Sequence, residues 1–426
     1  MRNMKDSGME WLGVIPEEWK IKKWKHILNE RNEKNDKLET NQVLSLGYNY
    51  GLIPASEKDY TGGNKAREDL SDYKIVRPND IVMNSMNIVC GSVDISKYTG
   101  CVSPVYYSFY TSDNEPRYFS YLFKTDPFER SLLGLGNGIL IKESGNGKLV
   151  SVRLRIPIDK LKSLYLPLPS KIEQKKISDY LDLKCQNIDN IIKKTKESID
   201  EYKTLRQTII IEATTKGIKK NVPMKHSGID AIGDIPESWR VTKLKRVCKK
   251  LTRTFDSNSE PLICSNKGEV ILRGESIIGL ISDNDDMYQG VSKGDLLIHG
   301  MDTWHGAVAV SSFNGKCTKV VHVCDSLEDK KFICYYLQCL AFQKVYKAIS
   351  NGVRENTSDF RSWEKAGSIP VVLPPLKEQH EISNYIDLKC EQINKLVEQK
   401  EQFMEELGIY KKSLIYEYST GKKEIK

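Results

Sequence analysis

From Leu166 to about Lys220 the chain reads as one long helix, and no other stretch constrains the fold as much. The run opens LPLPSKIEQKKISDYLDLKCQNID. Pro167 and Pro169 stop whatever precedes it, and Ser170 stands three residues ahead of Glu173, the spacing of a reciprocal N-terminal cap. Neither proline nor glycine follows until Gly217. Two heptad rows carry much of the apolar content: Leu181, Ile188, Thr195, Tyr202 and Ile209 on one, Ile177, Lys184, Ile191, Ser198 and Leu205 on the other. At ~1.5 Å per residue, a helix of roughly 40 residues spans about 60 Å. That is too long for one small globular core to stabilise, so the pattern predicts a partner helix of similar length.

The same chain supplies that partner. From Leu373 it reads LPPLKEQHEISNYIDLKCEQINKLVEQ. Glu173-Gln174 matches Glu378-Gln379, Tyr180 matches Tyr385, and Asp182-Leu183-Lys184-Cys185 matches Asp387-Leu388-Lys389-Cys390. The rows recur as Ile386, Ile393, Lys400, Leu407 and Leu414, and as Ile382, Lys389, Leu396, Phe403 and Tyr410. A lysine at the same position of both seams would cost stability while fixing register.

A second repeat confirms that one unit is written twice. The leader MKDSGMEWLGVIPEEWKIKKWK returns after the first helix as MKHSGIDAIGDIPESWRVTKLK. The regions between leader and helix are less alike but share a skeleton. VRPNDIVMNSMNIVCGSV from Val76 aligns with VSKGDLLIHGMDTWHGAV from Val291, pairing Asp80 with Asp295, Met86 with Met301 and Gly91 with Gly306. A turn precedes a short apolar strand in each, a β-like run follows from Cys101 and from Cys317, and an aromatic-rich helical stretch comes next. The expected fold class is α+β with a mixed or largely antiparallel sheet: two α+β domains separated by a long antiparallel two-helix coiled coil, as a pseudo-two-fold internal repeat. The boundaries read 1–165 and 221–371 for the domains, 166–220 and 372–426 for the helices.

Composition narrows the function by exclusion. The chain has 426 residues and a formal charge of +8, a mild basic bias. Its polar N-terminus lacks a signal peptide, no apolar run approaches a membrane span, and the 10 cysteines show no CxxC spacing. A reduced, cytoplasmic protein with no metal site and no membrane partner is expected. The phosphate-loop, HExxH and GxSxG patterns are absent, as is the Asn/Asp-Pro-Pro-aromatic tetrapeptide of amino-methyltransferases. A non-catalytic chain follows.

The doubled SG-x-x-x-x-G-x-IP-E-x-W leader and the doubled LP-x-x-x-EQ-x-x-I-x-x-Y-x-D-x-K resemble the DNA-specificity subunit of type I restriction–modification systems, over essentially the whole chain. The resemblance implies two target-recognition domains at the ends of an antiparallel helical pair, each reading half of a split target in double-stranded DNA. It implies docking of two methyltransferase (modification) subunits, joined by restriction subunits that are ATP-driven translocases. S-adenosylmethionine, ATP and Mg²⁺ then belong to the partner subunits and no cofactor to this chain.

Duplex binding needs cations for phosphates and forked donors or amides for base edges. In the first domain the loop around Lys65 and Arg67 either enters a groove or is solvated surface. Asn84 and Asn87 follow a strand and either read adenine or cap the turn. Asn137, in a Gly-Asn-Gly turn, with Lys142 and Lys148 suits a phosphate. Arg153 and Arg155 alternate with apolar residues, and Arg153 is the favoured contact. In the second domain His299, Trp304 and His305 follow the matching strand; with Asp302 they invite a metal reading, but no fourth ligand stands at a standard spacing. Asn351, Arg354, Asn356 and Arg361 form the densest group of cations and amides. The rival readings are an enzyme with a disguised site and a coiled-coil adaptor that binds proteins through its end domains.

Overall fold

A computed structural model describes residues 2–47, 50–58, 67–139, 153–275, 285–346 and 359–425. The chain forms two compact units, Met1–Lys194 with Gln402–Lys426, and Thr195–Glu401. Two long helices, Lys171–Lys216 and Leu376–Ser419, are continuous across that division, so each unit owns part of both.

In the first unit the leader pairs Met4–Asp6 with Val14–Pro16, and Lys20–Lys23 pairs with Tyr165–Leu168 just before the helix. A four-stranded antiparallel sheet follows, in the order Asn29–Glu30, Tyr106–Tyr110, Ile81–Asn84, Val93–Ile95. The second unit repeats the plan with Met224–His226 on Asp234–Pro236 and Arg240–Lys243 on Pro370–Leu373. Its sheet runs Cys248–Lys250, Val321–Ser326, Leu296–His299, Val308–Val310, the same order and sense. Among the described strands every ladder is antiparallel.

The matched central strands, IVMN and LLIH, are apolar almost throughout because both sheet faces are covered. Alternate side chains point to opposite faces. Ile81 and Met83 enter a core with the helix Pro116–Phe123, while Val82 faces Leu44, Leu46 and Leu52. Leu296 and Ile298 likewise meet the helix Lys330–Phe342, while Leu297 faces Leu262 and Cys264.

A buried ion pair sets the turn before each central strand. Asp80, 1% exposed, takes Arg31 Nε at 2.6 Å and the Arg77 N–H at 2.8 Å. Asp295, 4% exposed as a side chain, takes Arg253 at 3.1–3.2 Å and the Ser292 N–H at 2.8 Å. The alignment of the two aspartates therefore has a structural cause.

The repeated helix motif clasps its own domain. Gln174 donates to the Pro169 carbonyl at 2.9 Å and accepts from the Glu115 N–H at 2.9 Å. Gln379 donates to the Pro374 carbonyl at 2.8 Å and accepts from the Asp329 N–H at 3.0 Å. Two turns on, Asp182 accepts from Tyr121 and Arg117, and Asp387 from Tyr335 and Lys331. Trp19 and Trp239 are each 1% exposed and meet Tyr118 and Phe332 edge-on, which pins the leaders.

Within each unit the helix segments run antiparallel. Tyr180 lies against Tyr418 at 4.6 Å, and Asp189 pairs with Lys411 at 2.7 Å, in the first unit. In the second, Lys400 stands over Tyr202 at 5.7 Å, and Ile210 and Ala213 share a core with Ile382, Ile386 and Cys390. Ile177, Leu181, Ile188, Ile382, Ile386, Ile393 and Leu414 are buried; Tyr202 and Leu407 are half-buried.

The second expected row is displaced by one residue. Ile191 and Leu205 are 43% and 46% exposed, and Leu396, Phe403 and Tyr410 are 39%, 45% and 53% exposed. The inward row instead holds Cys185, Ile192, Ile199 and Arg206 on the first helix and Cys390, Val397, Met404 and Lys411 on the second. The physical reason is visible at its start. Lys184 is exposed and holds its ammonium 5.5 Å from the centre of the Tyr180 ring, while the apolar thiol of Cys185 is buried. Lys184 does not fix register from within the seam, whereas the matched Lys389 is half-buried.

Candidate nucleic-acid interface

The central strand of each sheet ends in a turn built to one pattern. After Asn84 the chain makes a short 3-10 turn, Ile88–Cys90, and reverses at Gly91, φ +74°. After His299 it makes Asp302–His305 and reverses at Gly306, φ +81°, a left-handed conformation that favours glycine. Asn84 Oδ1 accepts the Met86 N–H at 3.1 Å. His299 Nδ1 accepts the Asp302 N–H at 3.0 Å. An amide and an imidazole at matched positions thus brace the same turn.

Burial pushes the His299 pKa down, and the Asp302 carboxylate, 3.4 Å from Nδ1, opposes that in part. The ring is a neutral acceptor at Nδ1. Among the described residues no group of three or more His, Cys, Asp or Glu side chains is arranged to hold a metal. Trp304 is half-buried and packs on the second unit's core, whereas His305 is exposed.

The chain later returns beneath each turn. The Ile156 N–H donates to the Ser85 carbonyl at 3.2 Å, and the Tyr107 hydroxyl donates to the Ile156 carbonyl at 3.0 Å. The Phe360 N–H donates to the Gly300 carbonyl at 3.0 Å, and His322 Nε2 lies 2.6 Å from the Phe360 carbonyl. Tyr107 and His322 occupy equivalent places, opposite Met83 and Ile298 on the neighbouring strand. Gly300 is required by close approach: a Cβ there would lie 2.9 Å from the Val320 carbonyl and 3.0 Å from that of Phe360.

These docked segments bring part of the sequence-predicted set together. Arg361 follows Phe360 directly and is exposed, which places it beside the turn carrying His299, Trp304 and His305. Arg155 precedes Ile156, is exposed, and faces exposed Asn137 across the Asn137–Ile139 and Arg153–Arg155 ladder. Arg153 pairs with Ile139 on the same ladder. Asn87 is half-buried, its backbone tied to the Asn84 carbonyl at 2.9 Å. Arg67 is exposed, and its N–H donates to the Tyr73 hydroxyl at 3.2 Å. Lys65, Lys142, Lys148, Asn351, Arg354 and Asn356 lie outside the described residues.

Lys74 and a run of cations in the second unit escaped the sequence reading. Lys74 is half-buried and donates to the Tyr106 carbonyl at 3.1 Å; burial lowers its pKa, Glu30 opposes this, and the charge of Arg155 lowers it further. The charge of Arg155 is therefore felt at Lys74. In the second unit Lys243, Lys245, Arg246, Lys249 and Lys250 are all exposed along consecutive elements. The signal was present in WRVTKLKRVCKK, which carries no acid, but its opening belongs to the leader repeat.

No protein-family model matches the chain. It is 26% identical over 457 positions to the putative type I restriction enzyme MjaX specificity subunit of Methanocaldococcus jannaschii, covering 97% of this chain and 96% of that protein. The chain is thus similar in sequence to a type I specificity subunit over nearly its whole length. The MjaVIII specificity subunit of the same organism is 23% identical over 309 residues, 62% of this chain and 63% of that one. A chain from a structural study of complex assembly and conformational transition in the type I R-M system matches with a TM-score of 0.67 at 14% identity, covering 95% of this chain and 98% of that one. The HsdS subunit of Thermoanaerobacter tengcongensis matches with a TM-score of 0.51 at 15% identity, covering 96% and 98%. The fold is HsdS-like, with mixed α and β content and a long helix. Among the described residues no helix is long and apolar enough to cross a membrane.

Proposed function

We propose that this chain is the non-catalytic DNA-specificity subunit of a type I restriction–modification complex. It selects a bipartite duplex target, one half-site per recognition domain, with domains 1–165 and 221–371 and helical segments 166–220 and 372–426. The long helices lie antiparallel along their length as a pseudo-two-fold spacer, which sets the gap between half-sites. The observation that carries this reading is one frame built twice in one chain, with matched sheets, turns and clasps but different exposed groups: Asn137 and Arg155 in one copy, His305, Arg361 and the Lys243–Lys250 cations in the other. A pair of unlike readers on a common frame suits a target with two unlike halves.

The same chain docks two methyltransferase subunits and, through them, restriction subunits; S-adenosylmethionine, ATP and Mg²⁺ are held by those partners. The exposed apolar row supports docking on the helices: Ile191, Phe403 and Tyr410 in the first unit, Leu205 and Leu396 in the second. Such a row is surplus to a helix pair already sealed on its inner face.

The test is a nuclease footprint of the assembled complex on its selected target. Two protected blocks with a constant gap are expected, and affinity should fall steeply as salt rises because phosphate contacts release counterions. Binding that ignores both sequence and salt would favour the adaptor reading.

A further inference from the structure

We propose that Tyr107 and His322 are matched positioning residues that hold the backbone beside Arg155 and Arg361, each setting the selectivity of one half-site. The inference rests on the DNA-recognition reading above and adds to it which buried groups keep the exposed ones in place.

Both residues stand on the strand next to the central one, and both are buried, at 5% and 0% exposure. Each spends its polar group on one backbone carbonyl, that of Ile156 or Phe360. These two residues also make the matched backbone bonds to Ser85 and Gly300. Each is thus fixed at both its N–H and its carbonyl. The exposed guanidinium is the immediate neighbour in sequence, Arg155 before Ile156 and Arg361 after Phe360. Each arginine therefore leaves the frame from a fixed neighbour while the latch is closed, and a fixed base is what a forked donor needs to discriminate between bases.

The latch is not a shared residue but a shared geometry. One copy uses a phenol and the other an imidazole, two side chains of different length and shape. The imidazole must carry its proton on Nε2 to donate to a carbonyl, so Nδ1 presents a lone pair, and that atom is buried without a partner. A polar ring kept in this place despite an unsatisfied nitrogen points to the carbonyl bond as its purpose. A residue that only filled space would be apolar in at least one copy.

The test uses the full chain, assembled with its partner subunits, and a duplex library randomised at both half-sites. Three variants are compared with the wild type: Tyr107→Phe, which removes one oxygen and keeps the ring, His322→Leu, which removes the donor, and His322→Gln, which returns an N–H at similar reach. Loss of one buried hydrogen bond to the carbonyl should cut discrimination about tenfold at one half-site and spare the other. Tyr107→Phe and His322→Leu should loosen opposite halves, and His322→Gln should restore its half to within about twofold of wild type. Thermal unfolding of each variant separates this from loss of fold, and Tyr107→Phe serves if His322→Leu does not fold. The latch is overturned if folded variants select both halves as the wild type does, if both halves loosen together, or if the glutamine variant folds but does not restore its half. If the wild type itself selects no split sequence, the recognition reading fails and the latch falls with it.

Discussion

The first unit closes its returning segment with a phenol, braces its strand-end turn with an amide, and lets a serine pass where the second unit needs a glycine. The second uses an imidazole for the first task and another imidazole for the second. Backbone bonds at these places are the same in both units: Ile156 to Ser85, Phe360 to Gly300, with sheets in identical order. The difference teaches that the frame is conserved at the level of donors and acceptors, not residue types. Side chains change freely provided a donor meets the Ile156 or Phe360 carbonyl and an acceptor meets the turn. Surface chemistry can therefore diverge without disturbing the scaffold.

The largest effect should come from breaking the buried ion pairs, and it should be unequal. Arg31 binds Asp80 with a shorter contact, is 20% exposed as a side chain, and stacks 4.7 Å from the Tyr110 ring; Arg253 is 40% exposed. Asp80→Ala should destabilise the first unit by about 3–5 kcal/mol, as expected when one partner of a buried pair is removed. Asp295→Ala should cost less, because water already reaches its arginine. Denaturant unfolding followed separately in each unit measures both, and an equal or reversed order would contradict the comparison.

A smaller asymmetry lies under the turns. Gly300→Ala forces a methyl against the Val320 and Phe360 carbonyls and should cost about 1–3 kcal/mol, the usual range for overpacking. At the matched position the first unit already carries a side chain, so Ser85→Ala should stay within about 1 kcal/mol; the Ser85 hydroxyl is buried without a partner. Differential scanning calorimetry of the two variants would distinguish them.

The last contrast should be opposite responses to pH. Burial beside Asp126 raises the Glu129 pKa to about 8, with Lys412 partly opposing. The folded first unit thus holds a proton that the unfolded chain has released, and its stability should fall as pH rises from the ordinary carboxylate range toward 8. In the second unit burial lowers the pKa of His322, with Lys250 and His299 adding to it and the Phe360 carbonyl opposing, and also that of His299. Here the unfolded chain takes the proton first, so stability is full above the ordinary histidine range and falls as pH drops through it. Hydrogen exchange across this span should show protection moving in opposite directions in the two units. Glu129→Gln should remove the first trend and His322→Gln should weaken the second.

Much of this was legible in the sequence, for physical reasons. Pro167, Pro169 and Gly217 bracket the first helix because they punctuate backbone conformation wherever they occur. The sheet strands declare themselves by short apolar runs. The inner seam was only half legible. Ile191 and Ile192 are adjacent and both apolar, so a heptad row drawn through either looks sound, and Arg206 takes the inward place next to exposed Leu205. Periodicity cannot settle that choice; the packing of Lys184 on Tyr180 and the burial of Cys185 do. Asn84 was open between reading adenine and capping the turn, and His299 between a metal site, a groove contact and a plain loop; only the positions of the Met86 and Asp302 amides show that both brace a turn. The latch was illegible because Tyr107 and His322 are unlike residues whose common acceptors lie 49 and 38 positions away.

The division of the chain has a consequence for its synthesis. The second unit is one unbroken segment, Thr195–Glu401, whereas the first needs both Met1–Lys194 and Gln402–Lys426. Tyr118 waits for the Ser419 carbonyl, at 2.9 Å, and Leu181 waits for Leu414. A ribosome adding ~5–20 residues per second takes roughly 10–40 s to make the intervening stretch. The part that leaves the tunnel first is therefore the last to be completed, and until then its helix face stands open to whatever in the cell shields nascent apolar surface.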